Sequence, residues 1–185
     1  QVRFFSLPTN KGVSYARNRA IEQAQGQYLF ILDNDVIIND TAVQGLEQYL
    51  DTHPQCGLAA CQLKNLDGTI QTSYLPYPGI RLKLHNMLHI PIRTAPATYV
   101  IGACQMVRRQ VIEQIGLLDE AIFYGPEDCD FCLRILAKGW EIAYLTQFSI
   151  IHLCQRVTHH HLFSSLTKKH LQGLLYFYRK HHRWW

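Results

Sequence analysis

Two aspartates follow directly on a short apolar stretch. Residues 28–32 read YLFIL, and Asp33-Asn34-Asp35 comes next. Carboxylates spaced two residues apart at the end of a strand can point toward one hard cation, and oxygen ligands suit Mg²⁺ or Mn²⁺. The same three residues are also typical of a turn. Taken alone, the stretch leaves a turn and a metal site equally open.

A second acidic cluster lies at 125–134, in the stretch GPEDCDFCLR. Glu127, Asp128 and Asp130 fall in the first turn of a predicted helix, where acids are favoured, and Asp130 with Arg134 forms an i, i+4 pair. The functional interpretation is a general base opposite the metal site, with a proton affinity tuned by the neighbouring acids. By itself, this cluster favours the structural interpretation.

Two further stretches carry chemistry-bearing residues. His152 interrupts an apolar strand, where a histidine is more often a core residue but can complete a metal site with carboxylates. In NKGVSYARN, at 10–18, Lys11 and Arg17 flank a helix N-terminus that favours an anion. This stretch lacks the glycine pattern of a P-loop or of a dinucleotide site.

The elements that must position these residues alternate between strand and helix. Such alternation predicts an α/β fold with a mostly parallel, mixed sheet, whose ligands gather at the carboxyl ends of strands. Asp67-Gly68 predicts a hairpin turn into a strand over 69–74, and residues 75–98 an irregular excursion or lid. We predict a first helix that is capped by Ser14 and ended by Gly26. Further helices are predicted from Asp40 or Thr41 and over 109–115, 126–138 and 162–178. Strands are predicted over 28–32, 57–63, 99–103, 140–145 and 148–153.

Composition limits the possibilities further. A chain of 185 residues suffices for one domain with a core, and no apolar run is long enough to span a membrane. Its six cysteines are expected to be buried thiols. We expect a core over 1–161 and an amphipathic basic helix and tail over 162–185. The apolar face of that helix is predicted to hold Phe163, Leu166, Leu171, Leu174, Leu175 and Tyr178. That basic region either packs on the domain, which is the commoner case, or lies on an anionic membrane.

The order of these motifs resembles that of family 2 glycosyltransferases with the GT-A fold, and most nearly of their bacterial rhamnosyltransferase-like members. The resemblance runs from N-x-G…ARN, through LDND and IG-LLDE, to EDCDFCLR and the strand with His152. The family places βα units before the N-x-G stretch. This sequence starts about ten residues before Asn10, so the resemblance implies that those units are lacking.

The resemblance also implies a role for each candidate residue. Its cofactor would be a divalent cation, Mg²⁺ or Mn²⁺, that neutralises charge on the leaving diphosphate. The implied assignments are Asp35 and His152 as metal ligands, Asp33 as a metal or ribose ligand, Asp128 as the base, Glu127 as the residue that orients the acceptor, and Asn10, Lys11 and Arg17 as nucleotide-sugar contacts.

The implied function is inverting transfer of a sugar from a nucleoside-diphosphate sugar to a glycan or lipid-linked hydroxyl. It would act in the cytoplasm, or peripherally at the inner membrane face, in bacterial surface polysaccharide synthesis and without nucleic acid. One alternative is a haloacid-dehalogenase-like phosphatase with Asp33 as nucleophile and Asp35 as acid/base, although that motif prefers Thr or Val where Ile37 stands. Another is a non-catalytic, truncated binding domain.

Overall fold

The computed structural model describes residues 2–88, 96–153, 165–182 and 184. They form a six-stranded mixed sheet, a separate two-stranded sheet and six helices among the described residues. In chain order the elements are α1 (Val13–Gln23), β1 (Tyr28–Leu32), β2 (Val36–Ile37), α2 (Asp40–Thr52), β3 (Cys56–Lys64), β4 (Ile70–Gln71), β5 (Tyr74–Pro76), α3 (Ile80–Met87), β6 (Ala97–Val100), β7 (Cys104–Arg108), α4 (Arg109–Ile115), α5 (Glu127–Ala137), β8 (Glu141–His152) and α6 (Ser165–His181).

The main sheet has the strand order β1-β7-β3-β8-β2, with β4 paired to β3. Strands β1, β3 and β8 point the same way, but only β3 and β8 pair directly in parallel, because β7 runs antiparallel between β1 and β3. The predicted mixed α/β sheet is confirmed. No described strand pairs with the outer edge of β1, and the expected absence of preceding βα units stays a prediction.

The core lies on both faces of the sheet. Successive residues of a strand point to opposite faces, and the central strand β3 shows this clearly. Leu58 and Ala60 pack with one buried cluster, which includes residues of α1, α4 and α5, whereas Ala59 and Cys61 pack with another that includes residues of α2. The five cysteines that are described are buried free thiols, as expected, and Cys154 lies outside the described residues.

The two strands predicted over 140–145 and 148–153 are one strand, β8. Its pairing with β3 jumps from Leu145, opposite Cys61, to Ser149, opposite Gln62. The intervening residues bulge, and Gly45 of α2 leaves room for the ring of Phe148, which a side chain at Gly45 would strike. This local irregularity breaks the apolar pattern in the sequence without ending the strand.

The predicted capping role of Ser14 is wrong. Helix α1 begins at Val13 with Gly12 as its N-cap. Ser14 is buried, and its hydroxyl donates to the carbonyl of Ile122 over 2.9 Å. The N–H of Val13 also donates to the carbonyl of Phe123 (2.9 Å). Gly12 has φ 101° and lies so close to Phe123 that a side chain would collide with its backbone, so a tertiary contact sets this helix start.

Strands β2 and β7 and helix α3 were not predicted, and the strand predicted over 69–74 is two short strands, β4 and β5. Strand β7 lies over residues that the prediction left unassigned, and the preceding strand, β6, is Ala97–Val100 rather than 99–103. Part of the supposed irregular excursion is helix α3. Strand β7 runs straight into α4 with no turn between them, and the turn residues that would have marked its end are therefore missing.

Helix α6 packs against α5 through one carboxylate. The side chain of Asp130 is fully buried and is shared by three cationic or hydrogen-bonding groups: Arg134 Nε (2.9 Å), Lys180 Nζ (2.7 Å) and His181 Nε2 (2.8 Å). The packed interpretation of the basic helix is therefore supported, with part of its charge paired internally. Residues 162–164, 183 and 185, and the expected domain boundary at 161–162, lie outside the described residues.

The inward face of α6 agrees with the predicted one at Leu174 and Tyr178 but differs elsewhere. Leu174, Phe177 and Tyr178 are buried, whereas Leu171 and Leu175 are 60% and 42% exposed. None of the helices in the described ranges is long and apolar enough to cross a membrane.

Candidate active site

The end of β1 and the end of β8 bring two carboxylates and an imidazole together. Strand β2 pairs with β8 so that Val36 lies opposite His152, which sets the imidazole beside the preceding residue, Asp35. The distance from His152 Nε2 is 3.3 Å to Asp35 Oδ1 and 4.0 Å to Asp33 Oδ2. One ligand atom from each of the three residues lies within 4.8 Å of the others. The structure thus joins all three predicted metal ligands.

The donor set of this cluster fits a divalent cation. Two carboxylates and one imidazole are ligands that Mg²⁺ or Mn²⁺ accepts, and a cation would relieve repulsion between the two acids. Asp33 and Asp35 are 37% and 24% exposed, whereas His152 is only 8% exposed. The site therefore has a buried floor and a side that is open to solvent.

Gln71 on β4 holds His152 from behind. Its Oε1 lies 2.8 Å from His152 Nδ1, and its Nε2 donates to the backbone carbonyl of His152 over 2.6 Å. Outer hydrogen bonds of this kind orient metal-binding histidines. Gln71 was missed from the sequence, where its position just after the predicted hairpin turn gave no sign of a link to His152.

Arg17 connects the metal cluster to the second acidic cluster. Its guanidinium donates to Asp33 Oδ1 over 2.5 Å and to the carbonyl of Gly102 over 3.1 Å. The other terminal nitrogen lies 3.6 Å from Glu127 Oε1. Arg17 was predicted as a nucleotide-sugar contact, and the structure adds that it stands between the acids of the two motifs.

Gly102 completes this connection. Its N–H donates to Asp128 Oδ2 over 3.3 Å while its carbonyl accepts from Arg17. Any side chain at this position would overlap the guanidinium of Arg17. The residue was missed as a site residue, although it lies within the strand predicted over 99–103. The backbone of Gly102 therefore contacts both Arg17, which binds Asp33, and Asp128, the predicted base.

The acids at the start of α5 have raised pKa values. Glu127 is buried, and burial raises its pKa while the nearby Arg17 guanidinium opposes that change. Burial and then the charge of Glu127 raise the pKa of Asp128 to about 8. A carboxylate with a pKa in this range is a stronger base than an ordinary aspartate. Raised pKa values are common among catalytic carboxyls, and the role of Asp128 as the base stays a prediction.

The loop before α5 is fixed on two sides. The N–H of Gly125 donates to Glu127 Oε2 over 2.7 Å. Gly125 has φ 125°, and a side chain there would collide with the His170 ring of α6. Helix α6 therefore packs against the segment that carries Glu127 and Asp128.

Asn10 and Lys11, two of the predicted nucleotide contacts, have described contacts with Gly12 and Tyr15 rather than with the acids of the site. Asn10 Oδ1 accepts from the N–H of Gly12 over 3.0 Å, which forms a local turn. Lys11 Nζ lies 4.8 Å from the ring centre of Tyr15. Tyr15 and Arg17 are about 200° apart around α1, so Lys11 lies on the side opposite Arg17. A role in nucleotide binding stays a prediction for both residues.

The same architecture occurs in a solved sugar transferase. The mannosyltransferase PcManGT from Pyrobaculum calidifontis, solved in complex with GDP-Man and Mn²⁺, matches with a TM-score of 0.58 and 15% sequence identity. The match covers 91% of this chain and 43% of that one. The fold is therefore the GT-A fold.

Residues 1–116 match the model of Glycosyl transferase family 2, and the chain belongs to this family. The matched range contains Asp33 and Asp35, whereas Asp128 and His152 follow it. Membership favours the transferase interpretation over the phosphatase alternative.

Two relatives carry rhamnosyltransferase names. An N-acetylglucosaminyl-diphospho-decaprenol L-rhamnosyltransferase of Mycobacterium tuberculosis is 24% identical, over all of this chain and 69% of that protein. The dTDP-rhamnosyl transferase RfbF of Shigella flexneri is 23% identical, over 82% of this chain and 52% of that protein. The similarity to rhamnosyltransferase-like members of the family is thus confirmed.

Proposed function

We propose that the chain catalyses inverting, metal-dependent transfer of a sugar from a nucleoside-diphosphate sugar to a hydroxyl of a glycan or lipid-linked acceptor. One observation carries the proposal. A cluster fit for a divalent cation and a carboxylate of raised pKa belong to one contact network, through Arg17 and Gly102. Such an arrangement supplies an electrophilic end for a leaving diphosphate and a basic end for an attacking hydroxyl.

Asp33, Asp35 and His152 would hold the cation. When bound, Mg²⁺ or Mn²⁺ supplies Lewis-acid stabilisation for the negative charge that develops on the leaving phosphate. Mn²⁺ accompanies GDP-Man in the structurally similar mannosyltransferase, which supports a divalent cation without deciding between the two metals. Arg17, whose side chain is 13% exposed, adds a fixed positive charge beside Asp33.

Asp128 would take the proton of the acceptor hydroxyl. A hydroxyl is a weak nucleophile, and a positioned base contributes about 10²–10⁴-fold to the rate of such a step. Glu127 would orient the acceptor from the neighbouring position, with its carboxylate held by the N–H of Gly125. Attack by the hydroxyl opposite the leaving group inverts the configuration at the anomeric carbon.

The names of the relatives suggest the substrates. They point to a dTDP-rhamnose-type donor and an acceptor carried on a lipid diphosphate, and we propose these classes for this chain. Binding of dTDP, UDP and GDP, each with and without Mn²⁺, tests the donor half by calorimetry. Absence of metal-dependent binding for all three nucleotides would contradict the proposal.

A lipid-linked acceptor implies contact with a membrane face, and the outer side of α6 suits that contact. Lys168, Leu171, Leu175 and Arg179 are exposed and recur at helical spacing on one side of α6. Two leucines flanked by cations match a surface that lies on anionic lipid. We therefore propose peripheral contact at the inner, cytoplasmic face of the membrane.

Sedimentation with vesicles tests this contact. Vesicles with anionic lipid should carry the chain down at low salt and less at raised salt, because the screening length shortens. Serine at both Leu171 and Leu175 should reduce sedimentation, whereas serine at Leu136, an exposed leucine of α5, should not. Equal sedimentation of all three proteins would remove α6 from the proposal.

A further inference from the structure

We propose that Gln71 is a positioning residue of the metal site, which holds His152 in the tautomer whose Nε2 is free to bind a cation. The inference deepens the proposed function and takes its importance from it. Its physical basis is a chain of hydrogen bonds through the β3–β4 hairpin, in which each donor fixes the direction of the next bond.

The series of hydrogen bonds begins at the exposed carboxylate of Asp67. Asp67 Oδ1 accepts from the N–H of Thr69 over 3.0 Å and from the Thr69 hydroxyl over 2.6 Å. These hydrogen bonds lower the pKa of Asp67. An ionised carboxylate can only accept, and the Thr69 hydroxyl must therefore donate its hydrogen to Asp67.

The orientation of the Thr69 hydroxyl in turn fixes the orientation of the Asn65 side-chain amide. Thr69 Oγ1 lies 2.8 Å from Asn65 Nδ2. Because the hydroxyl hydrogen is already used, this oxygen accepts, and the amide nitrogen of Asn65 must face it. The amide oxygen of Asn65 then faces Gln71, where it accepts from Nε2 over 2.6 Å.

Gln71 is oriented twice over. Its Nε2 donates to Asn65 Oδ1 and, independently, to the backbone carbonyl of His152. Both partners are acceptors, so the reversed orientation of the Gln71 amide would place oxygen against oxygen at two contacts. Gln71 Oε1 is therefore the atom that faces His152 Nδ1 across 2.8 Å.

The tautomer of His152 follows from this orientation. An amide oxygen cannot donate, so His152 Nδ1 must carry a hydrogen. In the neutral ring, Nε2 then bears a lone pair that faces Asp35 and Asp33. A lone pair directed at two carboxylates is favourable only with a cation between them, which is the arrangement that a metal ligand needs.

Backbone hydrogen bonds within the hairpin hold this series of side-chain hydrogen bonds in place. The N–H of Asn65 donates to the carbonyl of Thr69 over 2.8 Å, and the N–H of Gly68 donates to the carbonyl of Asn65 over 2.9 Å. Gly68 has φ 84°, a conformation that a side chain would strain. The pattern N-x-D-G-T-x-Q at 65–71 thus supplies every group of this hydrogen-bond series except those of His152.

Two substitutions at Gln71 separate a tautomer-setting role from a merely structural one. Gln71→Leu removes both the acceptor and the donors of the amide, whereas Gln71→Glu keeps an acceptor for His152 Nδ1 and loses the same donors. We expect Mn²⁺ affinity at pH 8, measured by electron paramagnetic resonance, to fall about 10–100-fold in Gln71→Leu. In Gln71→Glu it should stay close to that of the unsubstituted chain. Equal losses in both variants would overturn the inference.

The tautomer itself is measured without metal. In ¹⁵N-histidine-labelled protein, two-bond ring correlations distinguish a protonated nitrogen from one with a lone pair, and His152→Gln identifies the signals of His152. We expect hydrogen on Nδ1 in the unsubstituted chain and in Gln71→Glu, and a shift toward hydrogen on Nε2 in Gln71→Leu. A lone pair on Nδ1, with hydrogen on Nε2 alone, in the unsubstituted chain would refute the inference. Failure of that chain to bind Mn²⁺ would instead contradict the proposed function and leave this measurement decisive for Gln71.

Discussion

Replacing Asp128 by Asn removes an ionisable oxygen while nearly preserving the size of the side chain. Asp128 has a pKa of 3.8 in its ordinary state and of about 8 in the folded chain. Between these values the folded chain holds a proton that the unfolded chain releases, so stability falls as pH rises from about 4 to about 8. Asparagine does not ionise, so the free energy of unfolding of the variant should rise relative to that of the original chain as pH rises across this interval.

The size of the gain follows from the pKa. Each pKa unit is worth about 1.4 kcal/mol, so the ceiling at pH 8 is roughly 5 kcal/mol. Two features reduce it. The side chain is partly reached by solvent, and it shares its protons with the adjacent Glu127. We expect the stability difference between variant and original to grow by about 2 kcal/mol from pH 5 to pH 8.

Hydrogen bonding subtracts a constant amount from this gain. Asp128 accepts from the N–H of Cys129 over 2.7 Å and from that of Gly102 over 3.3 Å. Asparagine offers one acceptor oxygen, and its amide group would oppose the second N–H at a cost of about 1 kcal/mol. This cost does not vary with pH, so the slope of the difference with pH, rather than its value, reports the raised pKa.

Urea unfolding at four pH values between 5 and 8 measures the slope, with Glu47→Gln as the control because Glu47 is an exposed helical carboxylate. Sugar transfer should fall about 10²–10⁴-fold in Asp128→Asn, with donor binding nearly unchanged. A stability difference that is flat with pH would refute the raised pKa. Comparable loss of donor binding and transfer would refute the assignment of Asp128 as the base.

The remaining predictions concern the residues around this base. Asp35→Ala should abolish metal-dependent binding of the donor nucleotide in calorimetry, and retained affinity would exclude Asp35 as a ligand. Gly102→Ala should weaken donor binding and transfer together, because the added methyl displaces Arg17, whereas Gly173→Ala, which meets only ordinary contacts, should leave both intact. Asp130→Asn should lower the free energy of unfolding by about 3 kcal/mol, since three partners lose a buried charge, and a loss below about 0.5 kcal/mol in urea unfolding would show the network to be unimportant. Transfer by the original chain should increase with pH up to about 8, because only ionised Asp128 accepts a proton, and a flat profile from pH 6 to 9 would contradict this.

Local patterns predicted much of the fold. The helix predicted over 109–115 has these bounds in the structure, and that over 126–138 begins at Glu127 and ends at Ala137. In both cases a glycine follows the last turns and marks the end. The start of α1 was misjudged because Ser14 serves a contact more than a hundred residues away along the chain, which no local pattern encodes.

The site was predicted unevenly for the same reason. Asp33, Asp35, His152 and Asp128 have side chains whose chemistry is recognisable in a sequence, and the structure brings the first three together. Gly102 and Gln71 act through a backbone amide and a side-chain amide, groups that occur throughout any protein. Only their distances to Arg17, Asp128 and His152 identify them, and those distances arise from strand pairing.

The contact of Gly102 with both Arg17 and Asp128 has a consequence for interpreting genome sequences. A copy of this chain that kept every acid and the histidine, but carried a larger residue at this glycine, would still match the family by its motifs. It would nevertheless lose the space that Arg17 occupies. If Gly102→Ala disables transfer as predicted, the identity of this one uncharged residue becomes a criterion for separating active copies from inactive ones.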